Sequence, residues 1–272
     1  MHTGVPCRVT VHPAAPGTGR IIHTQNVAIP ARADHVVATL RSTTLGRDGV
    51  SVGTVEHLLS ALHGFGVDNV LIEVTGPEIP ILDGSALPFA QAIQEAGLTE
   101  QGCPAHTQLL RAPFSLTEGD SEAVVVPASA LRLEVVTEFA EWPEGQAAAC
   151  FAVGPESMAD YTATVAPART FAFQREAQML LAAGLAQGGS LDNALVITPP
   201  NTFSTPLRLP TEWCAHKLLD LIGDLALVDA RLQMQVHLRR PGHRINTLLA
   251  RRLLEQSEEA RSDRAGRERG QE

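Results

Sequence analysis

A chain of 272 residues, 44% of them hydrophobic, is long enough to bury two cores. Its formal net charge of -9 excludes the broad basic field of a general nucleic-acid binder, though not a local pocket for a small anion. Four cysteines, Cys7, Cys103, Cys150 and Cys214, lack CxxC spacing, which argues against a disulfide framework and predicts free thiols in a reducing compartment. The start MHTGVPCRVTVHP has no apolar signal-peptide core, and no apolar run approaches the ~18 residues of a membrane span, so a cytoplasmic chain without an integral membrane segment is expected.

In chain order, residues 1–40 read as short strands, with candidates at 8–11 and 36–40, punctuated by Pro13, Pro16, Gly17 and Gly19. VGTVEHLLSALHGFG reads as a helix capped by Thr54, with Leu58, Leu59, Leu62 and Phe65 on one buried face. A strand at 70–74, a Pro/Gly-rich loop and a helix at 89–96 ending at Gly97 follow. The pattern then restarts. Strands are predicted at 123–126 and 131–139, and a helix at 172–185 ending in the Gly188-Gly189 turn. After these come a strand at 194–197, a strong helix at 212–228 capped by Thr211, a strand at 232–239 and a last helix from Ile245. Two successive strand-then-helix units predict two α+β domains, 1–110 and 111–255, followed by a charged, disordered tail at 256–272.

Two helices carry the polar residues that invite a chemical reading. In TEWCAHKLLDLIGDLALVDA, His216, Asp220 and Asp224 recur at i, i+4 and i+8, a narrow polar seam in an apolar helix. Such a seam is costly unless its groups pair with one another or hold an ion, and spacing leaves both readings open. Lys217 lies about 100° round the helix, facing either solvent or an anionic substrate group. TVEHLL sets Glu56 beside His57 in the first turn of a helix, where an acid suits the dipole and where it could also take a proton from water. His63 lies off that face and reads as structural, and Cys214 likewise. In RRPGHRIN, His243 follows a tight Pro241-Gly242 turn, with Asp224 the obvious partner to raise its pKa. Thr170 precedes Phe171 and Phe173, an alternation that fits a strand better than an oxyanion site.

Taken together and in order, STTLGRDG, VGTVEHLLSALHGFGVDNVLIEVTGPEIPILDGSALPF, ARTFAF, GGSLDNALV, HKLLDLIGD and PGHRIN resemble the UDP-3-O-acyl-N-acetylglucosamine deacetylases, from about residue 2 to about 254. The resemblance implies an α+β fold of two similarly built domains, each a sheet packed on helices, layered with the active site between them. It implies one zinc ion per chain held by His57, His216 and Asp220, with Glu56 as general base. His243 would act near the metal with Asp224 as its partner, and Thr170 would assist the oxyanion. Lys217 and Phe171 would contact a nucleotide-sugar lipid, its acyl chain running along residues 174–192. The reaction implied is N-deacetylation in lipid A biosynthesis by a monomer. A related zinc deacetylase acting on another N-acetylated sugar is the alternative, and an idle scaffold would need a broken ligand set. The sequence departs from the family pattern in beginning at HTG without an earlier strand, which bears on contacts near His2 and Thr3. It also carries Ala172 where a glycine is usual, which matters if that position needs a positive φ.

Overall fold

The computed structural model describes residues 1–184 and 186–269. The first half runs β1 (Val9–Pro13), β2 (Arg20–Thr24), β3 (Val27–Pro30), β4 (Val36–Ala38), β5 (Thr44–Arg47), β6 (Val50–Val52), α1 (Glu56–Gly64), β7 (Val70–Val74) and α2 (Leu87–Ala96). After β8 (Thr107–Leu109), the second runs β9 (Phe114–Glu118), β10 (Ser121–Pro127), β11 (Leu131–Phe139), β12 (Trp142–Val153), α3 (Met158–Thr164) and β13 (Phe171–Phe173). It closes with α4 (Gln174–Ala182), β14 (Leu195–Thr198), β15 (Thr202–Phe203), α5 (Glu212–Leu225), β16 (Arg231–Arg239) and α6 (His243–Arg269).

The halves share one plan. The first sheet has the order β1-β7-β2-β3 and the second β12-β11-β16-β10-β9. In each, one hairpin strand lies parallel to the strand that follows the central helix: β2 beside β7, and β11 beside β16. The other neighbours in these orders are antiparallel, while β8 adds to β16 in parallel off the main path. A three-stranded insert precedes each central helix, β4-β5-β6 before α1 and β13-β14-β15 before α5. Period-2 patterning explains the large sheet: Leu131, Leu133, Val135 and Thr137 of β11 point inward, as do Leu232, Met234, Val236 and Leu238 of β16. Arg132, Glu134, His237 and Arg239 alternate with them towards solvent, as expected for a sheet with one wet face.

The two central helices pack on each other, and α5 also packs on β11 and β12. Every residue of α1 is buried, and so is every residue of α5 except Lys217. The crossing is close: a Cβ added at Gly223 of α5 would stand 2.1 Å from the carbonyl oxygen of Glu56, so only glycine fits. The fold is therefore α+β with two similarly built units, as predicted. The four cysteines are free, and among the described residues no helix is long and apolar enough to cross a membrane.

Several local predictions need correction. Thr54 does not cap α1: Val55 precedes the helix, and the Thr54 hydroxyl turns to Glu78. Thr211 does sit at the start of α5, but its side chain makes no cap bond. Residues 172 and 173 belong to β13, because Phe171 and Phe173 pack in an aromatic cluster with Phe139, and the helix begins only at Gln174. Leu185, placed in that helix from sequence, lies outside the described residues. Ala172 is not among the positive-φ positions, so its departure from glycine carries no backbone strain. Helix α6 starts at His243 and continues to Arg269, through most of the segment read as a disordered tail, with Ser257 buried and bonded to His106 at 3.0 Å. Residues 270–272 lie outside the described residues.

Candidate metal centre

Five polar side chains converge where α1, α5 and α6 meet. The first turn of α1 supplies Glu56 and His57, the seam of α5 supplies His216 and Asp220, and the first residue of α6 is His243. All five are buried. One donor atom each from His57, His216 and Asp220 can be chosen so that all lie within 4.8 Å of one another. Asp220 Oδ1 stands 3.4 Å from His216 Nε2 and 3.9 Å from His57 Nε2, and the two imidazoles meet edge to face with centroids 5.1 Å apart.

The bonding around these atoms leaves their lone pairs aimed inward. His216 Nδ1 is 3.1 Å from the carbonyl oxygen of Ala168, so that nitrogen must donate and Nε2 carries the lone pair. Asp220 Oδ2 accepts from Lys217 Nζ at 2.9 Å. Asp220 Oδ1 is buried and has no hydrogen-bond partner among the described residues. A buried carboxylate oxygen without a donor is costly, and a cation is the natural compensation. Two imidazole nitrogens and one carboxylate oxygen form a common catalytic zinc donor set. The residues therefore fit such an ion.

The electrostatics agree. Burial, with His216 adjacent, pushes His57 down to about 3, and burial also lowers His216, so both rings are neutral and able to act as ligands. Burial alone would raise Asp220, but its interactions with the neighbouring His216, Lys217 and His243 side chains hold it well below the usual carboxylate range. Glu56 goes the other way: burial pushes it up to about 7, against the pull of His243, with Asp220 and Asp224 adding to the rise. Burial would lower His243, yet Asp224, Asp220 and Glu56 together raise it to about 9.

Asp224 stands behind His243. It accepts from His243 Nδ1 at 3.0 Å, Asn246 Nδ2 at 2.9 Å and the Thr43 hydroxyl at 2.5 Å. Its oxygens are engaged, which separates it from the three donors of the ion cluster. His243 Nε2 then faces Glu56 Oε1 at 4.0 Å and Asp220 Oδ2 at 3.9 Å. Lys217 does not point freely into water; its ammonium binds Asp220 and lies 5.5 Å from the centre of the Phe171 ring, which meets His216 edge to face at 6.2 Å. Thr170 is anchored by its backbone, which donates to Gly84 and accepts from Leu195, while its hydroxyl makes no hydrogen bond among the described residues.

Sequence reasoning missed three participants. Thr43, whose backbone N–H also donates to Glu56 Oε2 at 2.9 Å, sits in an irregular segment with no periodicity to reveal it. The Ala168 carbonyl is a backbone group and left no side-chain signal. Asn246 was legible, since it follows His243 by one helical turn.

A buried cluster of two imidazoles and a carboxylate, flanked by a second carboxylate and a cationic histidine and set between two like α+β units, defines a metallohydrolase-type centre. The model of the UDP-3-O-acyl N-acetylglycosamine deacetylase family matches residues 1–255, and the chain belongs to that family of enzymes. It is 41% identical over 261 residues to the UDP-3-O-acyl-N-acetylglucosamine deacetylase of Myxococcus xanthus (93% of this chain, 82% of the relative). The protein of the same name from Thermosynechococcus vestitus is 40% identical over 260 residues (94% and 90%), and that of Citrifermentans bemidjiense 38% over 259 (93% and 84%).

Proposed function

We propose that this chain hydrolyses the N-acetyl group of UDP-3-O-acyl-N-acetylglucosamine, releasing acetate and the free amine in lipid A biosynthesis, with one zinc ion held by His57, His216 and Asp220. The observation that carries the reading is the buried, partnerless Oδ1 of Asp220 facing two neutral imidazoles. When bound, zinc supplies Lewis acidity that acidifies water and polarises an amide carbonyl.

The chain's own residues divide the remaining work. Glu56 is the general base: one oxygen is tied to the Thr43 N–H, the other is turned towards His243, and a pKa near neutrality suits both taking and returning a proton. His243, kept cationic by Asp224, presents Nε2–H beside Glu56 and Asp220, where it supports negative charge on the carbonyl oxygen or protonates the departing amine. The Thr170 hydroxyl assists that oxygen. Lys217 spends one N–H on Asp220 and keeps two for an anionic group of the substrate, near its diphosphate, while Phe171 offers a face to the sugar or nucleotide. The acyl chain lies along α4 and the turn after it, where Met179, Leu181 and Leu191 are exposed. The enzyme works as a cytoplasmic monomer on this nucleotide-sugar lipid.

The test is acetate release from UDP-3-O-acyl-N-acetylglucosamine, with and without chelator, for the wild type and Glu56→Ala. Chelation should abolish activity and zinc restore it, and Glu56→Ala should lose about 100- to 10,000-fold in kcat while keeping its metal. Full activity in Glu56→Ala would sink the base assignment, and a fully active metal-free preparation would sink the zinc site. Turnover of a different N-acetylated sugar in place of this substrate would move the chain to another deacetylase specificity.

A further inference from the structure

We infer that Thr43 is a positioning residue for this reaction, fixing Asp224 so that His243 and Glu56 face the same point; the inference rests on the roles proposed above for those residues. Thr43 is fully buried and touches all three. Its backbone N–H donates to Glu56 Oε2 at 2.9 Å, its hydroxyl donates to Asp224 Oδ1 at 2.5 Å, and the same oxygen lies 3.3 Å from His243 Nδ1. Its carbonyl accepts the Val55 N–H at 3.3 Å, which ties the segment to the start of α1.

Proton bookkeeping decides what the hydroxyl does. It has one proton, and the short contact to Asp224 has the length of a charge-assisted bond. His243 Nδ1–H is spent on Asp224 Oδ2, which also takes Asn246. Asp224 is thus held at both ends, Oδ1 by Thr43 and Oδ2 by His243 and Asn246. Without the hydroxyl, Oδ1 has no donor, the carboxylate can rotate, and the imidazole that it orients can turn with it. The neighbours that Thr43 joins lie 13, 181 and 200 residues away in the chain. It therefore sets the first-half base against the second-half His–Asp pair.

Thr43→Val keeps the shape and removes the donor, while Thr43→Ser keeps the donor. Thr43→Val should lower kcat about 10- to 100-fold with zinc content unchanged, as loss of a partner behind a catalytic group typically does. KM should stay within about 2-fold, since no ground-state contact is lost. Thr43→Ser should recover most of the rate. In an Asp224→Asn background, Thr43→Val should add less than about 2-fold, because the two act through one carboxylate. A Thr43→Val enzyme with wild-type kcat, a Thr43→Ser enzyme as slow as Thr43→Val, or full additivity with Asp224→Asn would each overturn the inference. Should Thr43→Val not fold, Thr43→Ala enters the same cycle under the same criteria. Glu56→Ala separates the failures: if it is active, the proposed reading falls and this inference with it. If it is inactive beside a fully active Thr43→Val, only the role of Thr43 falls.

Discussion

The two central helices begin alike and end in different employment. Each opens on a buried glutamate, Glu56 in α1 and Glu212 in α5, and each glutamate accepts a backbone N–H from the segment before its helix, that of Thr43 in one case and Arg169 in the other. At Glu212 the arginine side chain follows its backbone, placing Nε at 2.7 Å and Nη2 at 3.0 Å from the carboxylate, so that burial is outweighed and the group stays ionised below its ordinary value. At Glu56 no guanidinium arrives among the described residues, and the carboxyl rises towards neutrality. The next positions diverge too. His57 follows Glu56, but Trp213 follows Glu212, bonding Gly145 and stacking on Phe203. Four and eight residues into α5 stand His216 and Asp220. At the same steps of α1 stand Ser60 and Gly64, which seat Tyr161: its hydroxyl meets Ser60 at 2.9 Å, and a Cβ on Gly64 would stand 2.9 Å from its ring. One architecture thus carries a polar cluster that could hold an ion at one place and a packed set at its counterpart. Partners, more than position in the fold, decide which.

Substitutions should separate the two glutamates. Glu56→Gln should cost about 100- to 10,000-fold in kcat with little change in melting temperature. Glu212→Gln should instead strip the partner from a buried arginine, lowering stability by about 3 kcal/mol in denaturant titration while the folded fraction keeps its turnover. Equal effects on both readouts would erase the contrast. At the crossing of the helices, Gly223→Ala should cost about 1–3 kcal/mol by overpacking, although alanine is the better helix former, and should lower zinc occupancy measured by metal analysis because Glu56 and His57 are pushed off α5.

The packed side also makes a pH prediction. His63 is driven down to about 3 by burial, with Arg20 and Arg231 nearby, so it is neutral when folded and titrates normally when unfolded. Its contribution is fully present above its unfolded value, near pH 6.5, and is lost as pH falls towards 3, with a slope of about 1.4 kcal/mol per pH unit. His63→Gln should flatten that stretch of a stability-versus-pH curve, and an unchanged slope would refute it. The smallest effect is expected for Tyr161→Phe, about 1 kcal/mol for the unpaired Ser60 hydroxyl, with kcat unaltered.

How much of this was legible in the sequence depends on periodicity. Helical spacing turned the α5 residues into a polar seam, but it left the seam open to more than one reading and said less of the adjacent Glu56–His57 pair, whose candidate roles came from the ordered set of motifs; the Asp224–His243 contact followed from chemistry. Strand β12 offers no such signal: WPEGQAAACFAV is rich in alanine and carries a proline and a glycine, and its pairing with β11 supplies what its propensity lacks. The caps misled because Thr54 and Thr211 are the right residue type in the right place, yet tertiary context takes the Thr54 hydroxyl elsewhere. Thr43 was invisible because its meaning lies in contacts up to 200 residues away.

The three candidate ligands are shared unequally, His57 from the first half and His216 and Asp220 from the second. An ion held by all three would bind the docked pair of halves and not either half alone, so its binding free energy is also docking free energy. By linkage, zinc at about 100 times its dissociation constant would add about 2.7 kcal/mol to the cohesion of the α1–α5 seam. Chelation would then do more than silence the enzyme: it would loosen the molecule along the line where its two halves meet, and protection of α1 amides from hydrogen exchange would register the loss.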